Sequence, residues 1–128
     1  MNGKKTKSKS NLLLTERALS DIAEIEIYSI KEFGKRVANK YISEIEAALV
    51  LLNEAPELLR AEEDLHPELR FYRVNKHLLV CDVQQNTIFL LTVIHASRDI
   101  PSRLAEMQPS LTMEVELLHQ KLAKRKNR

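Results

Sequence analysis

The chain has 128 residues, 44% hydrophobic and 30% charged, enough for one compact domain and short for two. Its single cysteine, Cys81, excludes an internal disulfide and any cysteine-pair metal site, so a reducing cytoplasm without metal or cofactor is expected. The longest apolar runs, 47–52 and 89–94, fall far short of the roughly 20 residues of a membrane span, and "MNGKKTKSKSN" lacks the apolar stretch of a secretory signal.

The net charge of +2 hides an asymmetry. Residues 1–10 carry four lysines, residues 119–128 carry five bases, and neither segment has an acid. Without those nine bases, residues 11–118 hold 11 bases against 18 acids, a charge of −7. A domain built as a whole to grip phosphate would carry positive charge in its body, and this body is negative. The tails read as solubilising, disordered ends.

In chain order, "LLL" at 12–14 predicts a short strand, and Thr15 stands at an N-cap position. From Glu16 to Phe33, the residues Ala18, Leu19, Ile22, Ala23, Ile30 and Phe33 recur at helical spacing. Gly34 sits where a left-handed cap would end that helix. A second helix over 35–53 places Val37, Ala38, Tyr41, Ile42, Ile45, Ala48, Leu49 and Leu52 on one face, and Pro56 ends it. Two helices joined so closely form a hairpin whose apolar face needs a third surface. That surface is predicted from "LRFYRV" (69–74), "LLVCDV" (78–83) and "TIFLLTVI" (87–94), strands linked by tight turns and therefore antiparallel neighbours. Asp82 in the middle run calls for a partly open sheet face or a basic partner.

After Asp99 the chain changes character. Pro101 and Pro109 bracket a short segment, and Leu111, Val115, Leu118 and Leu122 then repeat at coiled-coil spacing. This helix either packs on its own domain or docks on a partner, such as a second copy in a homodimer. The expected fold is α+β, in the order β-α-α-β-β-β, a helical hairpin on a small antiparallel sheet with a C-terminal helical extension. The expected division is a basic tail (1–10), a domain (11–104), and a C-terminal amphipathic helix with a basic tail (105–128). No glycine-rich phosphate loop is present.

Taken in order, the helix containing Ala18, Asp21 and Ile22, the "ANKYISEI" helix, Pro56, Leu69–Arg70 entering the strands and the closing "VIHASRD" resemble the ParE branch of the RelE/ParE toxin superfamily, over roughly residues 11–104. The resemblance implies a small toxin neutralised by a cognate antitoxin. ParE-like members inhibit DNA gyrase, whereas RelE-like members cut messenger RNA on the ribosome.

Cleavage of RNA without a metal requires a base, an acid and cations for the developing phosphate charge. The candidates are Arg73, His77, His95 and Arg98, but residues 69–118 hold only five bases against five acids, a poor phosphate site. Binding leaves clearer traces. Tyr28 lies opposite the main stripe of its helix, and Ile25 and Ile27 flank that stripe. Arg70, Tyr72, Arg98, Asp99 and Arg103 complete the expected partner surface. With these residues, the resemblance implies a gyrase-binding toxin, with a ribosome-dependent ribonuclease as the alternative and a non-toxic interaction module as a third reading. Cys81 is expected to act as a small core residue.

Overall fold

A computed structural model of the chain describes residues 11–126, with side chains as far as residue 121. The basic tail over 1–10 and the side chain of Leu122 lie outside the described residues. The elements run β1 (Asn11–Leu14), α1 (Glu16–Phe33), α2 (Lys35–Glu54), a 3-10 turn (Pro56–Leu58), β2 (Arg60–Ala61), β3 (Arg70–Val74), β4 (His77–Gln84), β5 (Thr87–His95) and α3 (Ile100–Lys126). The order β-α-α-β-β-β holds, with the two-residue β2 as an unforeseen addition.

The sheet is larger than expected and mixed. Its five strands lie in the order β1-β5-β4-β3-β2. The β3-β4-β5 meander is antiparallel, and β1 pairs in parallel with β5, Asn11 beside Thr87 and Leu14 beside Leu90. The tight turns place Asn75 and Gln85 at φ 55°, the left-handed region. Between Val80 and Cys81 the register slips, because β5 carries one extra residue at Leu91.

β5 decides the architecture. Every residue from Ile88 to Ile94 is buried, so both faces of the strand need cover. On one face the hairpin contributes Ala18, Ile45, Ala48 and Leu52 against Leu79, Cys81, Ile88, Leu90 and Val93. On the other, α3 lays Ile100, Leu104, Met107, Leu111 and Val115 over Leu69, Phe71, Val80, Phe89 and Leu91. The result is three layers, helices on each side of one sheet.

Local chemistry fixes the helix ends. Thr15, 1% exposed, accepts from the Ala18 N–H at 3.1 Å, and its hydroxyl lies 2.9 Å from the Leu91 carbonyl. One side chain therefore caps α1 and ties it to β5. Gly34, at φ 91°, is the single residue between α1 and α2, and its N–H closes on the Ile30 carbonyl at 2.9 Å. A side chain there would be strained at that φ.

The structure refines several of these expectations. On α1 the buried stripe runs through Ala18, Ile22, Ile25 and Ser29, whereas Leu19, Ala23, Ile30 and Phe33 are exposed. The helix rests on its narrow side because Asp21 also has to reach the sheet. The boundary at 104/105 falls inside α3, which starts at Ile100 and continues through Pro109, with Leu104 only 1% exposed. Leu111 and Val115 are spent on the sheet and Leu118 packs partly against it, so the described part of the heptad-like seam meets the protein's own strands. Asp82 is satisfied by the Gln84 amide, which donates at 2.8 Å, rather than by a base.

Leu111→Ala should lower unfolding free energy by about 2–5 kcal/mol, whereas Leu117→Ala on the outer face of α3 should stay within about 0.5 kcal/mol. Urea unfolding of both variants measures the difference; equal effects would mean that α3 does not pack as described.

A candidate binding cleft at the turn end of the hairpin

An open cleft of ≈ 750 Å³ lies where the α1–α2 turn overhangs the end of the sheet. α1 contributes Asp21, Glu24, Ile25, Tyr28 and Phe33; α2 contributes Val37 and Tyr41; the sheet end supplies Lys76, His77 and His95; the following turn and α3 add Ser97, Arg98, Arg103 and Met107. One wall is therefore apolar and aromatic, and the rim carries three cations.

The base of the cleft is a cluster of rings. His77 and His95 face one another across β4 and β5, with centroids 5.1 Å apart at 71°. Tyr41 leans on His77 at 5.5 Å, its hydroxyl 2.5 Å from His77 Nδ1 and 3.3 Å from the Val74 carbonyl. His95 Nδ1 accepts the Ser97 N–H at 3.1 Å, with the Ser97 hydroxyl at 2.8 Å. In the neutral ring, a backbone N–H donating to Nδ1 selects the tautomer protonated at Nε2, which leaves Nε2–H to face the cleft as a hydrogen-bond donor.

Burial, and secondarily the charge of His95, push His77 down to about 4, and burial pushes the Tyr41 hydroxyl up. His77 is therefore neutral at physiological pH. Cys81, deeper in the core, is driven by burial, and secondarily by Asp82, up to about 12 and is chemically inert.

The acids in and beside the cleft differ in role. Asp21 Oδ2 accepts from the Thr92 hydroxyl at 2.5 Å and from the Val93 N–H at 3.1 Å, which pins α1 to β5. Glu24 stays at the rim. Asp99 caps α3, its carboxylate accepting from the Ser102 N–H at 3.3 Å and the Ser102 hydroxyl at 3.0 Å. Arg103 Nη1 lies 3.7 Å from Glu106, a half-exposed contact worth little. Arg98 is exposed at the rim.

Of the residues singled out from sequence, Ile25, Tyr28, His77, His95, Arg98 and Arg103 converge on this cleft. Ile27 is exposed outside it, Arg73 turns its Nε to the Asn75 carbonyl at 2.7 Å, and Tyr72 packs on the core. Arg70, next to Tyr72 in β3, and Asp99 lie outside the cleft as well. Sequence reasoning missed Lys76, Tyr41, Ser97 and Met107. Tyr41 falls on a core stripe, and no local pattern shows that its hydroxyl reaches the β3–β4 turn.

A smaller groove of ≈ 340 Å³ between α3 and β4 includes His66, Glu68, Asp82 and His119. Among the described residues no group of three or more His, Cys, Asp or Glu side chains is placed to hold a metal ion. No helix of the described residues is long and apolar enough to cross a membrane.

The fold is shared with a solved toxin and antitoxin assembly, the chromosomal ParDE TA system from P. aeruginosa, at TM-score 0.62, 16% identity, and coverage of 70% of this chain and 98% of that one. In sequence, the chain is 25% identical over 95 residues to Toxin ParE of Escherichia coli, covering 73% of this chain and 92% of that protein. The model of the family described as ParE toxin of type II toxin-antitoxin system, parDE, matches residues 12–100. The chain belongs to the ParE toxin family. The matched span ends where α3 begins, so the helix that covers the second face of the sheet lies almost wholly outside it.

Because His77 titrates near 4 in the folded chain and near 6.5 when unfolded, its burial disfavours protonation of the native state. Its contribution to stability should be complete above about pH 6.5 and lost as pH falls from there to about 4. Subtracting the unfolding free energy of His77→Gln from that of the wild type at each pH isolates this slope; a difference flat across that window would contradict the assignment.

Proposed function

We propose that the protein arrests growth by binding DNA gyrase, without covalent chemistry, and that a cognate antitoxin neutralises it by filling the cleft beneath the hairpin turn. Membership of the ParE rather than the RelE branch supports the target. The state of the two histidines supports binding over catalysis. A general base works best with a pKa near the operating pH, and His77 is held far below it. His95 Nδ1 is already occupied by the Ser97 N–H, so that nitrogen is not open to take a proton from a substrate. Of the four ribonuclease candidates, Arg73 does not reach the cleft.

The cleft favours an antitoxin segment of a particular kind. Tyr28, 59% exposed, and Phe33, 59% exposed, offer apolar area, while Lys76, Arg98 and Arg103 favour carboxylates. An amphipathic acidic segment, its apolar side chains on the aromatic wall and its acids at the rim, satisfies both. The protein is expected to act inside the cell that makes it.

Tyr28→Ala and Arg98→Glu should each weaken antitoxin binding by about 2 kcal/mol, roughly 30-fold, whereas Ile27→Ala should change it less than about threefold. Calorimetric titration with the cognate antitoxin measures this; wild-type affinity in both cleft variants would remove the cleft from the account. Expression in a host without that antitoxin should stop growth and induce the DNA-damage response. Normal growth would favour the non-toxic reading, and arrest with cleaved transcripts would favour the ribonuclease.

A further inference from the structure

α1 is apolar on two faces, and the fold covers one of them. Ala18, Ile22 and Ile25 pack on the core of the sheet. On the outer side, Leu19, Ala23, Ile27 and Ile30 follow one another at i, i+4, i+8 and i+11, a single row about 17 Å long. Leu19 is 54%, Ile27 67% and Ile30 39% exposed, and Ala23 is exposed between them. Single apolar side chains at a surface are ordinary, but an unbroken row along a helix is the kind of ridge by which helices pack. None of the four lines the cleft, which α1 meets through residues such as Asp21, Ile25 and Tyr28.

The charge of the hairpin selects what this row can meet. Residues 31–40, around the turn, carry four exposed bases (Lys31, Lys35, Arg36 and Lys40) against Glu32. Residues 41–57 run back from the turn beside α1 and carry four acids (Glu44, Glu46, Glu54 and Glu57) and no base. Glu16 opens α1 at that same end, offset in part by Arg17, and Glu114 of α3 adds a further carboxylate there by accepting the Glu16 N–H at 2.7 Å. The hairpin is therefore positive at its turn and negative at its open end.

We infer that the row is the interface of a homodimer in which α1 packs antiparallel on α1 of a second copy. A twofold axis midway between Ala23 and Ile27 sets Leu19 against Ile30 of the second copy and the small Ala23 against the larger Ile27, and the same contacts recur in reverse, as an isologous interface requires. The positive turn of each hairpin then lies over the negative open end of the other, and Lys31 comes within a lysine's reach of Glu16 of the second copy. The opposed helix dipoles add to this. A uniformly acidic segment, of the kind the cleft favours, would gain at the turn and be repelled at the open end, whereas a second copy is complementary at both. Half-buried Glu26, beside the row, meets its own copy near the axis, a like-charge contact that limits affinity. The row alone also falls short of the roughly 800 Å² per partner of a standard interface, so the dimer is expected in the micromolar range. Because the cleft stays open in this arrangement, the inference stands apart from the proposed function.

Sedimentation velocity of the full chain from about 1 to about 300 µM tests the inference. The chain should pass from monomer to dimer within that range. Ile27→Asp should weaken the dimer at least about 10-fold, whereas Leu117→Asp, on the outer face of α3, should leave it unchanged, with circular dichroism showing that both variants fold. Lys31→Glu and Glu16→Lys should each weaken association several-fold, and the double exchange should restore it. The two positions lie about 22 Å apart along one helix, so that recovery can arise only between copies. A monomer at every concentration, a dimer untouched by Ile27→Asp, equal loss in Leu117→Asp, or no recovery in the double exchange would each overturn the inference. A chain that stays monomeric while Ile27→Asp weakens its binding to the cognate antitoxin or to gyrase would overturn it too, and would assign the row to that partner.

Discussion

The structure depends on a strand that cannot tolerate water on either face. β5 places Ile88, Leu90 and Val93 on one side and Phe89, Leu91 and Ile94 on the other, all buried. At about 1.5–3 kcal/mol for each large apolar side chain removed from water, leaving one face open would cost a large part of a small domain's stability. Everything else follows as cover. The hairpin takes one face, pinned by Thr15 and Asp21; α3 takes the other and returns to the first helix through Glu114, whose carboxylate accepts from the exposed end of α1. An acid at a helix N-terminus is also favoured by the helix dipole, so this contact joins the third layer to the first at little cost.

The same arrangement leaves one gap. Because α1 and α2 are joined by a single glycine, their turn projects past the sheet end, and the ring cluster of Tyr41, His77 and His95 fills only the base of the space beneath it. Burial that makes His77 a poor base makes it a good wall, a neutral ring that needs no counter-charge from a ligand. An apolar wall beside a cationic rim is what the proposed antitoxin segment would need.

Much of this was legible in the residues. The ranges of α1 and α2, the three meander strands and the Thr15 cap follow from periodicity and turn chemistry, because those signals are local. The second face was harder. Strand 87–94 is a continuous apolar run, which announces burial on both sides, but the spacing Leu111, Val115, Leu118 fits an internal groove as well as a coiled-coil seam, and only the fold shows which surface it meets. Pro109 misled for a related reason: a proline lacks one hydrogen bond but is tolerated where packing on both sides of it holds the helix, here Leu104 and Met107 before and Leu111 after. The cleft was half visible. His77, His95, Arg98 and Tyr28 stood out as residue types, whereas Lys76, Tyr41 and Ser97 join them through the register of β4 with β5, a long-range fact that no single stretch of chain contains.

The functional account turns on contact with gyrase rather than on a reaction at the histidine pair. Its most direct test is the supercoiling of relaxed plasmid by purified gyrase and ATP in the presence of saturating protein. The account predicts that supercoiling stops and that adding the cognate antitoxin restores it; supercoiling that proceeds unchanged at saturation would contradict it.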